Sequence, residues 1–209
     1  MADRFATMLL DRSAQHGLGV WHALGRCIKS LLVVKGGDLN SGLRLLRAAV
    51  DQLDEFNFAL YRAVFLSALA EGLAGAGRVA EGLVIINEAI VRSERTEEYW
   101  SMTELLRVKG ELLLLQCAPD AELTAEDHFQ QALDWSRRQK ALSWELRSAT
   151  SLARLWHQQH RTSQARELLA PVYRRFTEGF GTADLATAKA LLESLRQCLP
   201  SELVHSNWP

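Results

Sequence analysis

The stretch LAGAGRVAEGLVIINEAI, residues 73–90, decides how the chain is read. Gly75, Gly77 and Gly82 fall within eight residues, and an apolar run at helical spacing follows. A phosphate loop of the GxxxxGK[ST] kind needs a strand before it and a Lys-Ser/Thr pair after it, so that backbone N–H groups and an ammonium meet the anion. Here a helical pattern precedes the glycines, and Arg78-Val79 comes after them. The stretch therefore predicts a helix closed by Gly77 in the left-handed conformation. A second helix follows, in which Gly82 is a small packing residue.

The same turn-then-helix phrase recurs along the chain. GGDLNSGLRLLRAA begins at Gly36, CAPDAELTAEDHFQQAL at Cys117 and HRTSQARELLAPV at His160. Aligned on the small residue after each turn, Gly42, Gly82, Ala125 and Ala165 succeed one another at steps of 40, 43 and 40 residues. Four residues on stand Leu46, Ile86, Phe129 and Leu169, and seven on stand Ala49, Ala89, Ala132 and Val172. The preceding helices align as well, with Ser30, Ala70, Gly110 and Ala153 followed three later by Val33, Leu73, Leu113 and Trp156. Small residues let two helix backbones approach, and large ones fill the next layer. Each unit is thus a helical hairpin, whose faces are buried by stacking on its neighbours.

The expected architecture is all-α: a right-handed superhelical solenoid of about four hairpins, units 16–55, 56–95, 96–139 and 140–180. A cap helix at about 182–198 completes a single domain, 1–199, and 200–209 forms a loose tail. An initial helix, Ala2 to Gln15, reads as part of a unit cut off upstream, whose apolar residues would drive pairing of two chains into a homodimer. Pro171 removes a backbone hydrogen bond to Glu167 and predicts a bend in the last hairpin, with Tyr173 and Phe176 turned onto the terminal helix, Asp184 to Gln197. Trp21, Tyr61, Trp100 and Trp144 open the units, and with Trp135 and Trp156 they read as core between repeats. Tyr99 and Trp208 fall outside that pattern.

Bulk composition narrows the function classes. Lys plus Arg is 24 against 25 Asp plus Glu, so there is no electrostatic case for direct nucleic-acid contact. No run of 18 apolar residues exists, so no membrane partner is expected. Cys27, Cys117 and Cys198 are odd in number and far apart, which suits a reducing cytoplasm rather than a disulfide framework. His157 and His160 stand i,i+3 with no third ligand at metal spacing, and no nucleophile–base set emerges from spacing. No catalytic residue, metal ligand or cofactor follows from these patterns.

The paired-helix pattern resembles the tetratricopeptide repeat, although its units exceed the usual ~34 residues. A HEAT-like array, of period ~40–47, is the structural alternative. Longer phrases, GVWHALGRCIKSLLVVKGGDLNSGLRLLRAAV, RSERTEEYWSMTELLRVKGELLLLQ and the segment from Ser143 to Leu195, resemble the C-terminal helical-repeat region of a family of bacterial multidomain regulators. In that family a predicted signal-transduction ATPase module precedes the repeats, with a winged-helix or adenylate/guanylate cyclase domain as output. The resemblance implies a non-enzymatic interaction or sensor module of a cytoplasmic regulator. Its partners would be another protein or the ATPase and output domains of its own parent chain. The alternative is a small-molecule receptor domain that closes over a metabolite to control the attached ATPase.

Repeat alignment places a polar groove on the first helices of the hairpins. Ser67 and Glu71 represent unit two, Glu104, Arg107 and Glu111 unit three, and Arg147, Thr150, Arg154 and His157 unit four. Steps of three and four put each set on one helix face. Arg107, Arg147 and Arg154 are the candidates for holding a charged peptide or ligand. The competing account is a solvated face of intrahelical pairs such as Glu104–Arg107 and Arg107–Glu111, each contributing ~0.2–0.5 kcal/mol.

Overall fold

The structure, a computed structural model, describes residues 1–56, 58 and 60–197. Cys198, Trp208 and the expected tail lie outside the described residues. The described chain is all-helical. Ten helices follow one another: α1 (Ala2–Gln15), α2 (Gly19–Lys35), α3 (Leu39–Glu55), α4 (Arg62–Gly75), α5 (Val79–Thr96), α6 (Met102–Gln116), α7 (Ala121–Gln139), α8 (Leu142–Gln158), α9 (Thr162–Arg174) and α10 (Ala183–Gln197). A 3-10 turn, Tyr99–Ser101, leads into α6.

The turns explain the helix ends. After α4, Gly77 takes φ +76°, its N–H reaches the Ala74 carbonyl at 2.9 Å, and Arg78 N–H reaches Leu73 at 2.8 Å. This left-handed closure turns the chain back within three residues. His160 plays the same part after α8 at φ +61°, with Arg161 N–H on the Trp156 carbonyl at 2.8 Å. Asp38 caps α3, its carboxylate accepting from Ser41 N–H at 3.2 Å. Helix α9 continues through Pro171 to Arg174.

Each turn lays one helix antiparallel against the last. The start of α3 touches the end of α2 at Gly42 and Val34, and the end of α3 covers the start of α2 through Phe56 and Gly19. Even-numbered helices also touch the next even one, from α2 through α10, so they form a continuous row. The small residues lie where helices meet. Gly42, Gly82, Ala125 and Ala165 are all buried, as are Leu46, Ile86, Phe129 and Leu169 four positions on. A Cβ at Gly42 would sit 2.8 Å from Val34 N, and one at Gly82 would sit 2.9 Å from the Ala70 carbonyl oxygen and 2.6 Å from a Leu112 methyl. These backbone approaches exclude any side chain larger than hydrogen without a shift.

Two apolar clusters result. One spans α2 to α6 and receives Ala132 from α7, while the other spans α7 to α10; Leu113 packs against both. Cys27 is fully enclosed in the first, and burial pushes its thiol up to about 12 against the opposing pull of Arg26 and the backbone. Helix α10 buries Leu185, Ala188 and Leu195, and Tyr173, Phe176, Leu191 and Leu192 pack against the same cluster.

The aromatic row differs from its expected place. Tyr61 meets Trp100 edge-on at 5.9 Å, and Trp100 stacks on Trp144 at 6.1 Å, so these rings do link successive hairpins. They are not interior, however: Trp21 is 53% and Tyr61 44% exposed, and Trp100 and Trp144 are half-buried. Each stands at or just before the first turn of an even-numbered helix, and Tyr61, Trp100 and Trp144 face one another there. Trp135 and Trp156 do pack against the first and second apolar clusters, Trp135 stacking on Tyr99 and Trp156 lying under Arg161.

The close contacts make a sharp stability contrast. Gly82→Ala is expected to destabilise the fold by about 1–3 kcal/mol, because the Ala70 carbonyl cannot withdraw freely. Gly75→Ala, where an added Cβ meets nothing within 4 Å, is expected to be neutral or to stabilise by up to ~1 kcal/mol. Urea unfolding of both variants measures the difference; equal effects would remove the packing explanation.

Candidate functional site

The row of even-numbered helices carries a charged hollow of about 360 Å³. Glu71 comes from α4, Arg107 and Glu111 from α6, Arg147, Thr150, Ser151 and Arg154 from α8, and Asp184 and Thr187 from α10. Helical spacing directs each set to the same side: 107 and 111 are one turn apart, and 147, 150, 151 and 154 span two. Close packing of the hairpins then brings four separate helices to one place.

Arg107 is the hub. Its side chain is 7% exposed, and it donates to both oxygens of Glu104, at 3.0 Å from Nε and 2.8 Å from a terminal nitrogen. It also donates to Glu71 on the preceding even helix and lies 3.7 Å from Glu111. Burial works against the guanidinium charge, but the hydrogen bonds and charge of Glu104, and then those of Glu71, outweigh it and hold the group above its ordinary value. Glu104 passes the connection onward through an ion pair with Arg147 at 2.8 Å. Glu111 does the same through Ser151, whose hydroxyl donates at 2.6 Å, and Arg154 at 3.3 Å. Arg147 also lies 4.0 Å from Asp184.

The nine residues expected in a groove thus separate into three groups. Glu71, Arg107, Glu111, Arg147, Thr150 and Arg154 line the hollow together. Glu104 is buried beneath it as the partner of two arginines. Ser67 and His157 are corrections. Ser67 is buried and its hydroxyl donates to the Val64 carbonyl at 2.8 Å, because its face turns toward the neighbouring helices. His157 is half-buried outside the hollow, its Nδ1 enclosed without a hydrogen-bond partner among the described residues. The pairs are not merely intrahelical either, since Glu71–Arg107, Glu104–Arg147 and Glu111–Arg154 each join two hairpins.

Three lining residues fall outside that expected set: Ser151, Asp184 and Thr187. Ser151 stands four residues after Arg147 and three before Arg154, a same-face spacing that the sequence does carry. Asp184 and Thr187 required knowing how α10 docks on α8. Glu145, buried on α8 and held by Arg137 at 3.3 Å and by Arg175, is a second inter-helix anchor away from the hollow.

A wider trough of about 920 Å³ adjoins the hollow and shares Glu111, Ser151 and Arg154 with it. It runs between the α6–α7 turn and the end of α8, past exposed Leu115 and Leu123. Among the described residues, no group of three or more His, Cys, Asp or Glu side chains is placed to hold a metal ion. No described helix is long and apolar enough to cross a membrane.

Compared with known proteins, the chain matches no protein-family model and no curated protein. What the site can do therefore rests on its own chemistry. Arg107 is spent on internal pairing. Arg147 and Arg154, with side chains 32% and 45% exposed and two turns apart on α8, both line the open space. Glu71 and Asp184 supply acceptors opposite them. The arrangement is suited to recognising a polar, charged group held by fixed ion pairs.

Removing the hub tests the network. Arg107→Met leaves Glu104 buried with Arg147 alone and is expected to cost about 3–5 kcal/mol. Adding Glu104→Gln should recover a large part of that loss, since the stranded charge is gone. Chemical denaturation of the single and double variants measures this; a single-variant loss below about 1 kcal/mol would show that the pairs are solvated ornaments of the surface.

Proposed function

We propose that the chain is a non-enzymatic interaction or sensor module, built as a right-handed superhelical solenoid of tetratricopeptide-like hairpins. Its concave face is the row of even-numbered helices, and the charged hollow on that row receives a partner or signal. The observation that carries the reading is the pair Arg147 and Arg154, presented side by side in a hollow assembled from four helices. Repeat scaffolds use such continuous faces for recognition, because each unit contributes one or two side chains to a surface none could form alone.

The resemblance to regulators with an ATPase module gives the context: a cytoplasmic bacterial transcriptional or signalling regulator, in which occupancy of the groove is passed to ATPase and output domains. The partner is a segment of another protein or of the parent chain. The specific support for a protein segment is the trough continuing from the hollow, with Leu115 and Leu123 exposed beside it, a mixed polar and apolar track longer than a small ligand needs. A metabolite receptor is the second reading, favoured by the hollow itself, whose 360 Å³ falls within the ~300–1,000 Å³ range of small-molecule sites.

Binding of the chain to the ATPase region of its parent regulator, measured by pull-down with and without nucleotide, separates the readings. Arg147→Glu combined with Arg154→Glu is expected to weaken that binding at least tenfold, with a lower thermal midpoint because Arg147 pairs with the buried Glu104. Arg154→Ala, which removes only an exposed pair with Glu111, is the variant expected to weaken binding with the midpoint little changed. No contact in either nucleotide state would count against the interaction module. A thermal midpoint that rises with ligand concentration, reflecting a stabilisation of RT ln(1 + [L]/Kd), in a metabolite screen would favour the receptor instead.

A further inference from the structure

The far side of α10 carries a different surface. Where α9 and α10 run antiparallel, a groove of about 300 Å³ has Ala170, Tyr173 and Leu192 as its floor. Arg166 and Arg174 stand on one wall, and Lys189 and Arg196 on the other. Glu193 also lines it, 3.9 Å from Lys189. Arg166, Arg174 and Arg196 have no carboxylate within 4.0 Å among the described residues. A second hollow of about 410 Å³ continues the surface across Arg166, Ala170 and Arg174 toward Pro171 and Glu167. Asp184 and Thr187 lie on the opposite face of α10, so this groove is separate from the charged hollow.

Its charge and dimensions specify an occupant. Four cations against one carboxylate line a groove on a chain whose net charge is only -1. Four like charges with a single counter-charge repel, and an anionic partner relieves that repulsion. Arg166 and Arg174 are eight residues apart on α9, about 12 Å along the axis, and Lys189 and Arg196 are seven apart on α10, about 10.5 Å. Antiparallel packing places Arg174 and Lys189 toward one end of the groove and Arg166 and Arg196 toward the other. Acidic side chains at i and i+7 of a helix have the same ~10.5 Å separation, with positions i+3 and i+4 between them on the same face. The phosphates of a duplex recur every ~3.4 Å of helix axis on each strand and have no use for an apolar floor between the cations.

We propose that the α9–α10 groove docks an acidic amphipathic helix of a partner protein, its carboxylates at i and i+7 meeting the two cationic ends and its apolar residues lying on Tyr173 and Leu192. This is helix-in-groove recognition with charge selecting the partner. It is independent of the hollow on the even-numbered helices.

The probe is a synthetic helical peptide with Glu at i and i+7 and Leu at i+3 and i+4, measured by fluorescence anisotropy against the full chain beside a twin with Lys for Glu. The Glu peptide should bind at least tenfold tighter than its twin, and the preference should shrink at high salt. Arg166→Glu with Arg174→Glu should lose at least tenfold for the Glu peptide and gain affinity for the Lys twin. Lys189→Glu with Arg196→Glu, on the opposite wall, should do the same and guards against misfolding of the first variant. Equal affinity for the two peptides, or no effect of either charge reversal, overturns the proposal. So does tighter binding of a single-stranded oligonucleotide or of anionic vesicles than of the Glu peptide.

Discussion

At Gly42, Gly82 and Gly110 two helices approach so closely that one added methyl group would meet a neighbour at 2.5–2.6 Å. That approach is the constraint on which the molecule depends. It fixes the distance between paired helices: Leu46 and Ile86, one turn after Gly42 and Gly82, are buried beside their contacts, and at Gly110 the buried neighbour is the Phe129 ring of the facing helix α7. Because the pairs are held at set distances, Arg107 on α6 can reach Glu71 on α4 while Arg147 on α8 reaches Glu104 on α6. The polar network is a consequence of the apolar packing, and it rewards the same register.

Much of the fold was legible because packing of this kind leaves a periodic mark. Small residues at steps of 40, 43 and 40 are hard to produce on unrelated surfaces, and all four of them are buried. The helical reading of the glycine-rich turn followed from what flanks it, and Gly77 does adopt the left-handed conformation. The aromatic row lies outside the core for a physical reason. Recurrence at matched positions shows that residues are equivalent, but not on which side of the backbone they lie. Tyr61, Trp100 and Trp144 contact one another along an edge, so their repetition serves ring-to-ring contact while leaving them partly wet.

The site was legible only as a face. Steps of three and four correctly gathered six of its lining residues. They did not distinguish Arg107, enclosed and fully paired, from Arg147 and Arg154, which stay partly exposed, because that difference arises between helices. A carboxylate such as Glu104 looks like ordinary helix surface until the next hairpin covers it. Desolvated in that way, its pairing with two arginines contributes to register far more than an exposed pair would, since stranding either partner in a low-dielectric interior is costly. The contributions of α10 could not be read from helical periodicity at all.

The close-packing account is tested most directly by a double-mutant cycle at Gly110 and Phe129, where an added Cβ would sit 2.5 Å from the ring. The stabilities of Gly110→Ala, Phe129→Leu and the double variant are measured by equilibrium unfolding in urea. If the helices are held apart by this one contact, Gly110→Ala should cost far less in the Phe129→Leu background, with a coupling of about 1–2 kcal/mol. Strictly additive effects would mean that α6 and α7 do not meet at these two residues, and the account would be wrong at its foundation.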